Sequence, residues 1–391
     1  MTYRLSVIGL LALLLLIAGC TEEINAPSSP VSGHEGTLVP VADAFALAMN
    51  PGDVGSAYYV YKPYGYTEDG NPFPVVYMLH GYGGDENYFP IVFGLKEAVD
   101  EKIALGELEP MVLVFPNGKT PLGGGFYTDS DYLGGTATFA QHILDVIAEV
   151  EAGYNVSTDA ATKGIAGASM GGYGALSLAM DNPGMFGFVG VNSAPLAFWG
   201  TRTLDPADMT YTGIEELLPT ILAQTGYDPA TDTPEDYQTK MDPSVGPPTS
   251  MMFAMAAAFS PTDAANPGPT SHGTYGVDLP IGLDGEIYMP VWSRWMERDI
   301  LNRVVNPDPA INDAASFATF DLYMSVGLED DLGLYGAHQV LEGTLTAVGF
   351  PPAVSIYYEG VNDVFGVIPA GHVEHTLPQF LLMLEWFDTK F

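Results

Sequence analysis

Cations are scarce in this chain of 391 residues: 12 Lys and Arg stand against 48 Asp and Glu, a formal net charge of -36. So little positive charge cannot neutralise phosphates, which argues against nucleic acid as a partner and against polyanionic substrates. The excess of acid reads as a solvated shell that keeps the protein soluble. Cysteine is nearly missing. A single one, Cys20, leaves no intramolecular disulfide to form. The spaced Asp/Asn pattern with a central Gly that a calcium loop needs does not occur, and neither metal nor cofactor is expected. No internal repeat is evident. What is present is 47% hydrophobic residues, enough for a large core in one big domain or two.

The N-terminus reads as an address. Arg4 is the only charge before the apolar run "LSVIGLLALLLLIAG", which ends at Cys20. That length fits a signal segment or a marginal membrane span. "LIAGC" resembles the lipobox of bacterial lipoproteins, in which small residues precede the cysteine that is acylated. The resemblance implies a leader over 1–19, lipidation on Cys20 and anchoring to a membrane, periplasmic or surface-exposed. "TEEINAPSSPVSGHEG" then reads as a polar tether, taken here as 20–40, with the folded domain over 41–391.

Past the tether, short apolar runs alternate with helical periods. "SAYYVYKP" and "FPVVYMLHG" read as strands joined across the turn-forming "EDGNP", and "MVLVFPNG" as a third. In "TATFAQHILDVIAEVEAGY", Phe139, Ile143, Val146, Ile147 and Val150 share one helical face. Strand "KGIAGAS", helix "GGYGALSLAM" and strand "FGFVGVNSA" follow. "TFDLYMSVG" and "AVSIYYEG" flank the helical "GAHQVLEGTLTAVGF", and "TLPQFLLMLEWFD" is a closing helix. Buried strands alternating with helices mean an α/β fold, a mostly parallel sheet with helices on both faces. The stretch 196–311 breaks the rhythm and reads as a long cap-like insertion. Within it, "SMMFAMAAAF", Trp292 and Trp295 are read chiefly as cap core, with an acyl or aromatic pocket as the other reading.

The most informative stretch is "KGIAGASMGGYGALSLAM". A turn needs one glycine, yet Gly167, Gly171, Gly172 and Gly174 crowd Ser169. In a nucleophile elbow the chain turns sharply from strand to helix with a strained serine at the apex. The positions two before and two after must be small, and these are Gly167 and Gly171. The helix that follows aims its N-terminal N–H groups at the serine, while Gly172 and Gly174 let it lie close to the sheet.

An activated serine needs a base, a group that orients the base, and donors for the oxyanion. "YMLHGYGG" ends a strand and supplies a loop; the backbone N–H groups of Tyr82 and Met170 are the candidate oxyanion hole, with His80 pinning the loop. In this fold the chain order is Ser, acid, His. "LEDD" after one late strand offers Glu329, Asp330 or Asp331. "PAGHVEH" after the next offers His372 or His375. Both groups follow strand C-termini, where open α/β sheets build their sites.

Over about 55–195 and 318–388 the chain resembles the esterase D / feruloyl esterase family of α/β-hydrolases, which includes secreted mycolyltransferases. The resemblance rests on "YVYKPYGYTEDGNPFPVVYMLHGYGGDENYF", "AGASMGGYGALSLAMDNPGMFGFVGVNSA", "MSVGLEDD" and "YEGVNDVFGVIPAGHVEHTLPQFL". It implies an α/β-hydrolase fold with catalytic Ser169, Asp330 and His372. The loop before the Gly-His and the 196–311 insertion are both longer than the family pattern. The expected activity is hydrolysis of an ester outside the cytoplasm, such as acetyl or feruloyl groups on polysaccharide or a small acyl ester. The rivals are an acyltransferase using a sugar hydroxyl, a surface binding protein on an inactive hydrolase scaffold, and a peptidase of the same fold.

Overall fold

The computed structural model describes residues 33–51, 57–198, 217–363 and 366–391. The expected leader, Cys20 and the tether as far as residue 32 lie outside these. The fold centres on an eight-stranded sheet: β1 (Thr37–Ala42), β2 (Ala57–Lys62), β3 (Val75–Leu79), β4 (Val112–Phe115), β5 (Lys163–Ala168), β6 (Phe188–Asn192), β7 (Asp321–Gly327) and β8 (Val354–Tyr358). Their order is β1-β2-β4-β3-β5-β6-β7-β8. From β4 to β8 all neighbours run parallel, and β2 runs antiparallel to both β1 and β4. This is the α/β-hydrolase fold that the resemblance implies, with the mostly parallel sheet that the alternation of strand and helix predicts.

Two expectations change. The tether does not reach residue 40, because Thr37–Ala42 pairs with Lys62–Ala57 as the edge strand. "TLVPVA" is half-exposed there, so burial leaves little apolar alternation to read. Also, β2 and β3 are joined through the "EDGNP" turn but are not neighbours, since β4 lies between them.

The helices are α1 (Ala44–Met49), α2 (Leu95–Leu105), α3 (Phe139–Gly153), α4 (Met170–Asp181), α5 (Leu218–Thr225), α6 (Pro234–Lys240), α7 (Thr249–Phe259), α8 (Met289–Met296), α9 (Ile300–Val305), α10 (Leu334–Val348) and α11 (Thr376–Asp388). Side chains alternate across the central strands, so β3 sends Val75, Tyr77 and Leu79 to one core and Val76 and Met78 to the other. The first core takes α3 through the face read from the sequence, with Ile143, Val146, Ile147 and Val150 buried, together with α4 and α10. The second takes α2 and α11 through Leu95, Val99, Phe380, Met383, Leu384 and Phe387.

Between β6 and β7 the described chain is mainly helical, α5 to α9. A buried arginine fastens it to the sheet domain. Arg303 of α9 donates to Ser177 Oγ (3.0 Å) and Asp181 Oδ1 (2.5 Å) of α4, and to Asp313 Oδ2 (2.8 Å). Tyr173 of α4 donates to the Arg298 carbonyl at 2.9 Å. The insertion is thereby keyed to the helix that starts at Ser169. Trp292 and Trp295 are fully buried and stacked, which is the cap-core role.

Candidate active site

The site is assembled at the C-terminal ends of β3, β5, β7 and β8. Ser169 lies between β5 and α4 with φ 54° and ψ -119°, a left-handed backbone that a non-glycine residue holds only under constraint. Part of that constraint is the Ser169 N–H, which donates to the Asn192 carbonyl at the end of β6 (2.8 Å). Crowding supplies the rest. A Cβ on Gly167 would meet the Gly171 carbonyl carbon at 2.2 Å, and one on Gly171 would meet the Leu79 carbonyl oxygen at 1.9 Å. The size rule read from the sequence thus has atoms behind it. Gly172 abuts Ala194 and the β6 terminus, as a helix lying close to the sheet requires, whereas Gly174 makes room for the Tyr127 ring rather than for the sheet.

His372 lies 203 residues along the chain from this serine, and Asp330 lies 42 residues from His372. His372 Nε2 stands 2.9 Å from Ser169 Oγ, and His372 Nδ1 stands 3.0 Å from Asp330 Oδ2. Asp330 is buried, and its other oxygen accepts from the backbone N–H groups of Leu332 (3.0 Å) and Leu334 (3.4 Å). Burial alone would raise the Asp330 pKa, but the facing imidazole and these two N–H groups outweigh it and hold the carboxyl below the ordinary carboxylate value. Burial likewise pushes His372 down, but the carboxylates of Asp330, Asp331 and Glu374 push it up more, leaving it above an ordinary imidazole. Asp331 is exposed and takes no part in the side-chain line; its Oδ1 accepts the His372 backbone N–H at 3.2 Å. Glu329 is exposed, its N–H tied to the Ala370 carbonyl (3.0 Å). His375 sits at the start of α11, against the Tyr358 ring.

The long loop before His372 includes a small ribbon, Val361–Asp363 against Gly366–Ile368. Its extra length folds back on itself, and the chain still arrives beside β7. A Cβ on Gly327 would meet the Ala370 carbonyl oxygen at 2.0 Å. The bare end of β7 is therefore what lets the 370–372 segment lie against the Asp330 loop.

The backbone N–H groups of Tyr82 and Met170 donate to no protein acceptor among the described residues, and both residues line one narrow cavity with Ser169. His80 has the pinning role. Its Nδ1 bonds the Gly81 carbonyl and its Nε2 accepts from the Gly118 N–H, both at 2.8 Å. Burial pushes its imidazole down to about 4, so it stays neutral and can hold both bonds. The sequence reading missed the partner of this loop, residues 118–127. Gly83 N–H donates to the Gly123 carbonyl (2.9 Å), and Phe126 and Tyr127 are successive left-handed non-glycine residues. The run "GGG" at 123–125 is the signal: Gly124 and Gly125 leave room for Met170 and Phe139. The cavity also takes Met251, Met252 and Met255 from α7, so that helix both packs and lines.

Residues 56–231 match the sequence model of the family described as "Putative esterase". The matched span includes Tyr82 and Ser169 and ends before Asp330 and His372. Among solved structures, the chain is similar to a ferulic acid esterase, at 16% identity over 91% of this chain and 99% of that one, with a TM-score of 0.54. It is also similar to an S-formylglutathione hydrolase from Agrobacterium tumefaciens, at 14% identity over 92% and 97% of the two chains, with a TM-score of 0.50. At these identities the likeness is one of fold.

Proposed function

We propose, from the match of residues 56–231 to the esterase family model, that the chain is a serine carboxylic-ester hydrolase working through an acyl-enzyme. The observation that carries the reading is the continuous line from Ser169 Oγ through both nitrogens of His372 to Asp330. His372 Nε2 takes the Ser169 proton as Oγ attacks the ester carbonyl carbon. The Tyr82 and Met170 N–H groups receive the oxyanion. Collapse expels the alcohol, which takes the proton from His372. Water then repeats the sequence on the acyl-enzyme, giving the free acid and restoring Ser169. Asp330 holds Nδ1–H and stabilises the imidazolium, a role suited to a buried carboxyl that stays ionised.

The test is labelling by a fluorophosphonate beside hydrolysis of p-nitrophenyl butyrate. Wild type should label at Ser169 and turn over. Ser169→Ala should stay folded, lose the label and lose turnover by several orders of magnitude. Substantial residual turnover in that variant would refute the reading.

We further propose that the enzyme works outside the cytoplasm, lipid-anchored through Cys20, on the strength of "LIAGC" and the single cysteine. Mass spectrometry of the mature protein should find lipid on Cys20 and no Arg4. An unmodified Cys20 would end this proposal.

A further inference from the structure

The cavity beside Ser169 has a volume of about 60 Å³. On the scale on which a cavity of about 150 Å³ takes benzene, the space admits about two to three carbon atoms. Its walls are apolar. Met252 and Met255 of α7, both nearly fully buried, face it together with Phe126 and Leu334. Among the described residues that line it none carries a charge, and Ser169 and Tyr82 bring the only side-chain hydroxyls. That of Tyr82 already donates to the Leu122 carbonyl at 2.8 Å.

We propose that this cavity holds the acyl side of the ester and selects short saturated aliphatic acyl groups of about three to four carbons, the carbonyl included. The inference rests on the esterase reading above and deepens it. Ser169, Tyr82 and Met170 line the same cavity as the α7 methionines, so an acyl chain that enters it from a carbonyl at Ser169 lies beside the thioethers. Methionine is flexible and polarisable and suits a plain alkyl chain. A feruloyl group is too large for the space and brings a phenolic hydroxyl that would be buried without a side-chain partner among the described residues. The insertion therefore sets chain length through α7, while the sheet supplies the chemistry.

The experiment is a p-nitrophenyl series from acetate to dodecanoate, with ethyl butyrate against ethyl ferulate and a series of butyrates of different alcohols. Fluorophosphonate labelling of Ser169 accompanies every measurement. kcat/KM should rise by about four-fold per methylene up to C3–C4 and fall beyond. Ethyl ferulate should lie at least about 100-fold below ethyl butyrate. Met255→Ala should move the optimum to longer chains. Met251→Phe, at a partly exposed lining position, should move it to shorter ones and does not depend on the core tolerating a cavity. A labelled enzyme with a flat acyl profile, or one preferring ferulate, overturns the inference and leaves the esterase reading standing. So does a labelled enzyme whose methionine variants alter the alcohol series and not the acyl series. Absence of labelling removes the esterase reading and this inference together.

Discussion

Replacing Asp330 by Asn removes one charge and keeps the shape, so its effect is read from hydrogen-bond direction. The carboxyl oxygen that accepts from Leu332 and Leu334 N–H can be kept by the amide oxygen. That fixes the amide NH2 toward His372 Nδ1, where the carboxylate now stands at 3.0 Å. A donor facing Nδ1 selects the tautomer with its lone pair there and its proton on Nε2. Nε2 then donates toward Ser169 Oγ and cannot take its proton. A wrong-tautomer triad loses about four orders of magnitude in kcat, or about 5 kcal/mol at 1.36 kcal/mol per decade. The pH profile gives a second readout. Turnover needs neutral His372, so kcat/KM rises with pH through the His372 pKa. That pKa is held above the ordinary imidazole value of 6.5 by Asp330 first, then Asp331 and Glu374, against burial. Without the Asp330 charge the residual activity should show its rise at lower pH than wild type. The assay is p-nitrophenyl butyrate hydrolysis from pH 5 to 9, with circular dichroism to confirm the fold. A variant within tenfold of wild type, or a rise that does not move down, would refute this account of Asp330.

Other variants probe neighbouring claims. Asp331→Asn and His375→Ala should each stay within about tenfold of wild type, because neither side chain joins the line to Ser169, while His372→Ala should fall nearly as far as Ser169→Ala; steady-state kinetics on the set decides, and a dead His375→Ala beside an active His372→Ala would reverse the assignment. Gly171→Ala puts a methyl against the Leu79 carbonyl, backbone that cannot swing aside, so denaturant unfolding should show a loss of about 3 kcal/mol, the upper end for overpacking. Arg303→Met should cost about 2 kcal/mol in the same assay, below the 3–5 kcal/mol of a fully buried pair, because Asp181 and Asp313 remain largely in water. It should also slow turnover, since the insertion loses its bond to the nucleophile helix.

What the sequence determined by itself was local. The strand–turn–helix around Ser169 and the need for Gly167 and Gly171 follow from sterics within five residues, and those rules hold wherever the chain goes. The parallel sheet follows from apolar runs alternating with helical periods, since each run must be covered on both faces. Residues alone left three acids and two histidines open, and the family resemblance of "MSVGLEDD" and of the segment ending in "PAGHVEHTLPQFL" implied Asp330 and His372. Only the tertiary structure decided which of these meet Ser169, because that depends on Gly327 admitting the Ala370 carbonyl and on a ribbon folding away the spare loop. It also decided the fate of β1, whose half-exposed side chains carry no periodic signal and whose place comes from backbone pairing with β2. The face of α7 was likewise unreadable. Its nearly uniform apolar sequence, "TSMMFAMAAAF", has no polar side to orient it, so only the tertiary structure decided that Met251, Met252 and Met255 line the cavity beside Ser169.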